Sequence, residues 1–174
     1  MPRALPPLAL FAALALALTG CAPASKEVAP EPTAVAVPFE SEEEALAAAV
    51  EAYARFVEVG DSIGRDGGLN AERLEEVATG ELLKTSLEGL ESWVEKGWRQ
   101  VGAAEFSDVT LQQFWDKGVI IYLCEDVSAV DVFDATGQSV VSADRPDFYY
   151  FQVSFEATDG SLLVSGRERW REHC

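Results

Sequence analysis

Positive charge is scarce in this chain: 13 Lys and Arg stand against 30 Asp and Glu, a formal net charge of −17. Such a chain repels nucleic acid and anionic lipid headgroups, so no nucleic-acid partner is expected. Histidine is scarcer still, with His173 the single example. One histidine beside no evident orienting group is weak ground for catalysis, and a Cys–His zinc cluster is excluded. The string Gly60-Asp61-Ser62-Ile63-Gly64 matches the G-x-S-x-G pattern of serine hydrolases. It follows a helical stripe instead of a buried strand, so Ser62 reads as an ordinary polar residue near a helix end and His173 as a plain terminal histidine. Long apolar runs are limited to residues 8–18. Pro6-Pro7 cuts that run below the roughly 20 residues that a membrane-spanning helix needs.

What the run does supply is an export signal: a short positive end at Met1-Pro2-Arg3, an uncharged apolar stretch, then small Thr19 and Gly20. Leu18-Thr19-Gly20-Cys21 resembles the lipobox of bacterial lipoproteins. The resemblance implies acylation of Cys21, cleavage before it, and a lipid anchor on the outer face of the cell membrane. Two or more acyl chains hold a protein stably on a bilayer. Cleavage would remove Arg3 and leave 12 basic against 30 acidic residues, net −18, so the lipid and not a basic patch must do the holding. Residues 21–40 carry four prolines and no defensible periodicity. They read as a linker that, at about 3.1 Å per residue, reaches up to ~60 Å. The remaining 41–174 stretch suits a single domain.

Ser41 followed by Glu44 forms a capping-box signature, and Leu46, Val50, Tyr53 and Val57, widened by Phe56 and extended by Ile63, define a helical stripe ended by Asp66-Gly67-Gly68. Asn70 is placed to cap a short helix through Leu74 and Val77. Thr79 is placed to cap a longer one, with Leu83, Leu87, Leu90 and Val94 on its stripe and Gly97 as its stop. Beyond Gly97 the pattern turns to β-rich runs at 98–101, 109–115, 119–127, 148–157 and 161–170. Asp116-Lys117-Gly118 and Thr158-Asp159-Gly160 supply hairpin turns, and Thr136-Gly137 suggests a smaller hairpin between 130–133 and 139–141. Tyr149, Phe151, Val153, Phe155 and Ala157 alternate with Gln152, Ser154 and Glu156, giving one apolar face.

Helices followed by antiparallel strands predict an α+β domain with the helices packed on one face of a curved, cone-like sheet. The stretch VIIYLCEDVSAVDVFDATGQSVV (119–141), the following Asp144-Arg145-Pro146 and the ending GRERWREHC resemble actinobacterial lipoproteins of unknown function. Those are generally placed with the nuclear-transport-factor-two-like, or SnoaL-like, cone domains. The resemblance spans residues 41–174 and implies a cone that can enclose a pocket.

With Cys21 consumed by lipid in an exported chain, Cys124 and Cys174 remain as an even pair, and a disulfide is the simplest reading; two buried or free thiols are the alternative. Closing a loop of about 50 residues contributes roughly 4 kcal/mol on the chain-entropy account. The bridge would also draw the end of the last strand beside the Cys124 strand. Glu125, Asp126, Asp131 and Asp134 cluster in sequence without an EF-hand pattern and read as solvated strand ends, not metal ligands. Aromatics concentrate in the second half, and Trp98, Trp115, Tyr122, Tyr150 and Trp170 are pocket candidates, with plain core packing as the competing reading.

Two functions follow. The first is a lipid-tethered, non-catalytic domain that binds a small apolar ligand or an envelope protein. The second is a small isomerase- or dehydratase-like cone enzyme, which needs a carboxylate beside a tyrosine in a closed cavity, with Tyr122 or Tyr150 and Asp126 or Glu156 as candidates. No cofactor is expected. The anchor is directly testable: the signal-bearing chain should partition with membranes, and Cys21→Ser should release it or leave it uncleaved. An unmodified mature N-terminus at any other residue, read by mass spectrometry, would remove the lipoprotein reading.

Overall fold

The computed structural model describes residues 39–171 and Cys174. The leader, Cys21, the linker up to residue 38 and His173 lie outside the described residues. Helix α1 (Glu42–Arg65) begins where Ser41 Oγ accepts the Glu44 N–H at 3.2 Å. Glu44 answers by accepting the N–H of Glu40 at 2.8 Å, one residue earlier than a strict capping box. The buried face is built from Ala45, Ala49, Ala52 and Tyr53, while Leu46, Val50 and Val57 flank it half-buried. The expected stripe is thus rotated toward its small residues. Alanines let the helix axis approach the sheet closely, and the larger side chains close the shoulders.

A short 3-10 helix (Ala71–Glu76) follows. Asn70 precedes it in the left-handed region (φ 55°) and makes no side-chain capping bond, contrary to the capping role expected of it. Helix α2 (Gly80–Lys96) ends at Gly97, whose φ of 64° lets Trp98 N–H turn back to the Trp93 carbonyl. Thr79 supplies no side-chain cap either; its N–H donates to Val164 O and ties the helix start to the sheet. Leu83, Leu87 and Leu90 pack on the small core of Ile63, Leu74 and Val77. Val94, expected on the same stripe, is 45% exposed, because α2 runs past the edge of that core.

Four strands, β2 (Glu105–Trp115), β3 (Gly118–Asp126), β5 (Phe148–Thr158) and β6 (Ser161–Arg171), form an antiparallel sheet in the order β2-β3-β5-β6. It is open, with β2 and β6 as its edges, and the architecture is α+β. The Asp159-Gly160 turn has positive φ at both residues (50° and 81°), the twist that two-residue hairpins favour. Val119, Ile121 and Leu123 from β3 and Phe151, Val153, Phe155 and Ala157 from β5 face α1 and form the main core. Strand β2 starts at Glu105, earlier than expected, since bulges near Asp108 and Leu111 break its alternation.

The short strands β1 (Arg99–Val101) and β4 (Asp131–Phe133) pair with each other. The expected hairpin partner at 139–141 is reduced to one bridge, Phe133 to Ser139. Backbone bonds from Asp134 N–H to Gln138 O and from Val140 N–H to Val132 O remain, and acidic side chains add to them: Asp134 accepts the N–H groups of Thr136 and Gln138, and Asp131 accepts from Val132 N–H and Ser139 Oγ. These bonds, led by the Thr136 hydroxyl, hold Asp134 below the usual carboxylate range, and Ser128 does the same for Asp126. Arg145 pins the preceding turn by donating to the carbonyls of Val127 and Val130 at 2.7 and 2.8 Å. Gly102 lies against that turn, where a Cβ would stand 1.8 Å from Ala129 O.

Cys124 and Cys174 stand at disulfide distance, their sulfurs 2.04 Å and their Cα atoms 5.7 Å apart. The adjacency drawn from this pair is corrected: β6 lies beside β5, and β5 separates it from β3. Three residues beyond Arg171 can span about 10 Å, enough to cross two strand spacings of roughly 4.8 Å. We expect Cys174→Ser to lower the unfolding free energy by about 2–5 kcal/mol, and non-reducing peptide mapping to recover the linked pair. Two free thiols by mass would contradict this.

Candidate functional site

The inner face of the sheet carries one cluster of ionisable groups. Period-two alternation that turns Val119, Ile121 and Leu123 inward also turns Glu125 inward, and only 6% of it is exposed. Tyr53 projects from the alanine face of α1 and is fully buried. Its hydroxyl donates to Glu125 Oε2 at 2.5 Å. Arg167, from β6, donates through Nε to the Tyr53 oxygen at 3.1 Å and through a terminal nitrogen to Glu125 Oε1. Its guanidinium lies 3.6 Å from the Phe151 ring centre, and Phe106 meets Tyr53 edge-on at 5.0 Å.

Every member of the cluster has a partner. Among the described residues no buried side-chain nitrogen or oxygen is left unbonded. Burial, partly offset by Arg167 and reinforced by Glu125, pushes the Tyr53 hydroxyl well above its ordinary value, so it remains a proton donor. Burial acts to lower the Arg167 value, but Tyr53 and Glu125 outweigh it and raise it. The guanidinium therefore stays charged and neutralises the carboxylate it faces.

Sequence reasoning missed this trio. It placed Glu125 with solvated acids, whereas Glu125 is buried and Asp126, Asp131 and Asp134 cap nearby turns. Alternation in β3 was the available signal for Glu125. Arg167 had none, since bulges in the β5–β6 pairing set which of its neighbours face inward.

The aromatic candidates occupy three places. Tyr122, Tyr150 and Trp170 meet on the sheet face turned away from α1, Tyr122 and Tyr150 stacked at 5.9 Å. Trp98 packs against Trp93 at the end of α2, under the Lys96 ammonium. Trp115 covers Gly118 at the β2–β3 turn. None of the five reaches the buried trio. Neither Asp126 nor Glu156 is hydrogen-bonded to Tyr122 or Tyr150 among the described residues. Ser62 lies within α1 and accepts from Arg73 at 3.0 Å.

A groove of about 500 Å³ runs between α1 and the start of β2, floored by Val57, Ala104 and Phe106 and edged by Glu58 and Glu105. Buried Asp61 closes its end, accepting from Gln100 Nε2 at 2.6 Å and Ala104 N–H at 3.1 Å. Phe106 is the wall between this groove and the trio.

These features define an α+β domain whose sheet face is sealed by a helix and cross-linked through a buried ion pair. No known protein family and no curated protein matches the chain. A solved structure of the intermembrane space region of chloroplast protein ARC6 matches 78% of this chain and all of its own length, with 11% identity and a TM-score of 0.56. That likeness establishes the fold alone. Aln2 from a Streptomyces species aligns over 76% of this chain and 94% of its own length, at 20% identity and a TM-score of 0.44.

Removing Arg167 leaves a buried carboxylate without its cation. Because 27% of the Arg167 side chain is exposed, Arg167→Met should cost about 2–3 kcal/mol, less than the ~3–5 kcal/mol of a fully enclosed pair. Tyr53→Phe should cost about 1–3 kcal/mol at pH 7. The raised folded-state value of Tyr53 favours the fold below the unfolded value of 10.0, and that contribution is lost as pH climbs above it. The gap between wild type and Tyr53→Phe should accordingly shrink above pH 10, by at most about 1.4 kcal/mol per unit. Urea denaturation at pH 7 and pH 11 measures this; a constant gap would contradict the assignment.

Proposed function

We propose that this protein is a membrane-anchored extracytoplasmic lipoprotein whose domain binds a ligand or an envelope partner without catalysing a reaction. The observation that carries the non-catalytic reading is the closure of the inner cluster. Both Glu125 oxygens are taken, one by Tyr53 and one by Arg167. A general base must lie within hydrogen-bond reach of its substrate, and this carboxylate is buried behind the two groups that hold it. The tether reading draws support from the Cys21 motif and from the disulfide-distance pair, which suits an oxidising compartment. Among the described residues no helix is long and apolar enough to cross a membrane. The ARC6 region, which lies in an intermembrane space, is a compatible setting for the same fold.

One observation favours the enzymatic reading: a carboxylate does stand beside a tyrosine inside the domain, though it is Glu125 with Tyr53 and not the pairs expected from sequence. Two measurements separate the readings. Protease added to intact spheroplasts should degrade the domain while a cytoplasmic marker survives; protection would overturn the placement. Glu125→Gln should lower stability yet leave the set of small molecules recovered by native mass spectrometry unchanged. Accumulation of a bound substrate in that variant would favour the enzyme.

A further inference from the structure

Away from α1, the sheet presents Tyr122 from β3, Tyr150 and Phe148 from β5 and Trp170 from β6. Tyr122 and Tyr150 lie within 12° of parallel, and Trp170 is 5.2 Å from Tyr122. Part of this cluster is open to solvent. Trp170 is 55% exposed and Phe148 49%, two exposed aromatic rings of this face among the described residues. A hollow of about 350 Å³ opens alongside, walled by Pro146, Asp147, Phe148 and Cys174.

Polar groups surround the rings. The Arg171 guanidinium lies 4.1 Å from the Tyr150 ring centre, a stacking that fixes its plane and leaves its N–H edge free. Glu168 pairs in register with Gln152 on the same face. Among the described residues, the side chains of Gln152, Glu168 and Arg171 make no hydrogen bond to one another or to a neighbour.

We infer that this face binds a neutral polysaccharide, its sugar rings stacked on the exposed rings of Trp170 and Phe148 and its hydroxyls held by Arg171, Glu168, Gln152 and Asp147. The mixture of groups selects the occupant. An apolar partner would strip water from Asp147, Glu168 and Arg171 without replacing their hydrogen bonds. A polyanion would meet two local carboxylates and the field of a chain at net −17. A hydroxyl-rich ring instead offers donors to the carboxylates, acceptors to the guanidinium, and a C–H face to flat aromatics. From β3 across to β6 the platform measures roughly 10 Å at ordinary strand spacing, so it accepts an extended chain better than one small molecule. This inference rests on the extracytoplasmic placement proposed above and names what the domain would meet there.

Affinity electrophoresis of the full-length chain in detergent tests it, using gels that contain dextran, yeast mannan or arabinogalactan, with polygalacturonate as the anionic comparison. We expect retardation by at least one neutral polymer and none by polygalacturonate. Trp170→Ala should weaken it at least tenfold, and Arg171→Gln, at an exposed position, at least threefold, with circular dichroism unchanged in the second variant. No retardation by any neutral polymer, stronger retardation by polygalacturonate, or equal retardation of wild type and both variants would each overturn the inference. A domain that is protease-accessible on spheroplasts yet passes all three gels unhindered would sink the glycan reading alone; a protected domain would sink the placement.

Discussion

Three elements far apart in sequence meet at one buried charge. Glu125 enters the interior because it occupies an inward position of β3, and a bare carboxylate there would cost several kcal/mol. Arg167 and Tyr53 make it tolerable, and in doing so they specify how α1, β3 and β6 must sit relative to one another. Slipping β3 by one residue would turn Glu125 outward and bring Tyr122 in, losing all three contacts. The ion pair therefore acts on uniqueness of register more than on net stability.

That geometry also demands a thin helix face. Tyr53 reaches Glu125 because Ala45, Ala49 and Ala52 allow α1 to lie close on the inner face of the sheet. Leucines at those positions would lift the helix and pull the tyrosine hydroxyl out of hydrogen-bonding range. The same closeness fills the space where an open cone would hold a ligand and leaves a groove outside Phe106.

The outer sheet face answers to a different constraint. No buried core forces Tyr122, Tyr150 and Trp170 together, and the neighbouring hollow is walled in part by Cys174. Cys124 pairs in register with Tyr150, so the cysteine pair and the aromatic cluster share one patch of sheet.

Local signals proved readable where the deciding physics is local. Ser41 as the start of α1, Gly97 as the stop of α2, Asp159-Gly160 as a hairpin turn and the inward set Phe151, Val153, Phe155 and Ala157 all depend on a few neighbouring residues, and the α+β order follows from them. Asn70 and Thr79 do stand at helix starts but make no side-chain cap, and Thr79 is held instead by a backbone bond from its N–H to Val164 O, a partner set by the sheet. The alanine face of α1 was hidden because apolar volume, which draws attention to Leu46 and Val57, is not what close packing on a sheet needs. Glu125 could be read as inward from strand alternation, but its meeting with Tyr53, 72 positions away, and with Arg167, beyond a β-bulge, was set only when the sheet order and the helix approach were in place. Sequence carries the period of each element; the partners of a buried charge belong to the tertiary fold, because no local pattern records which strand lies next to which.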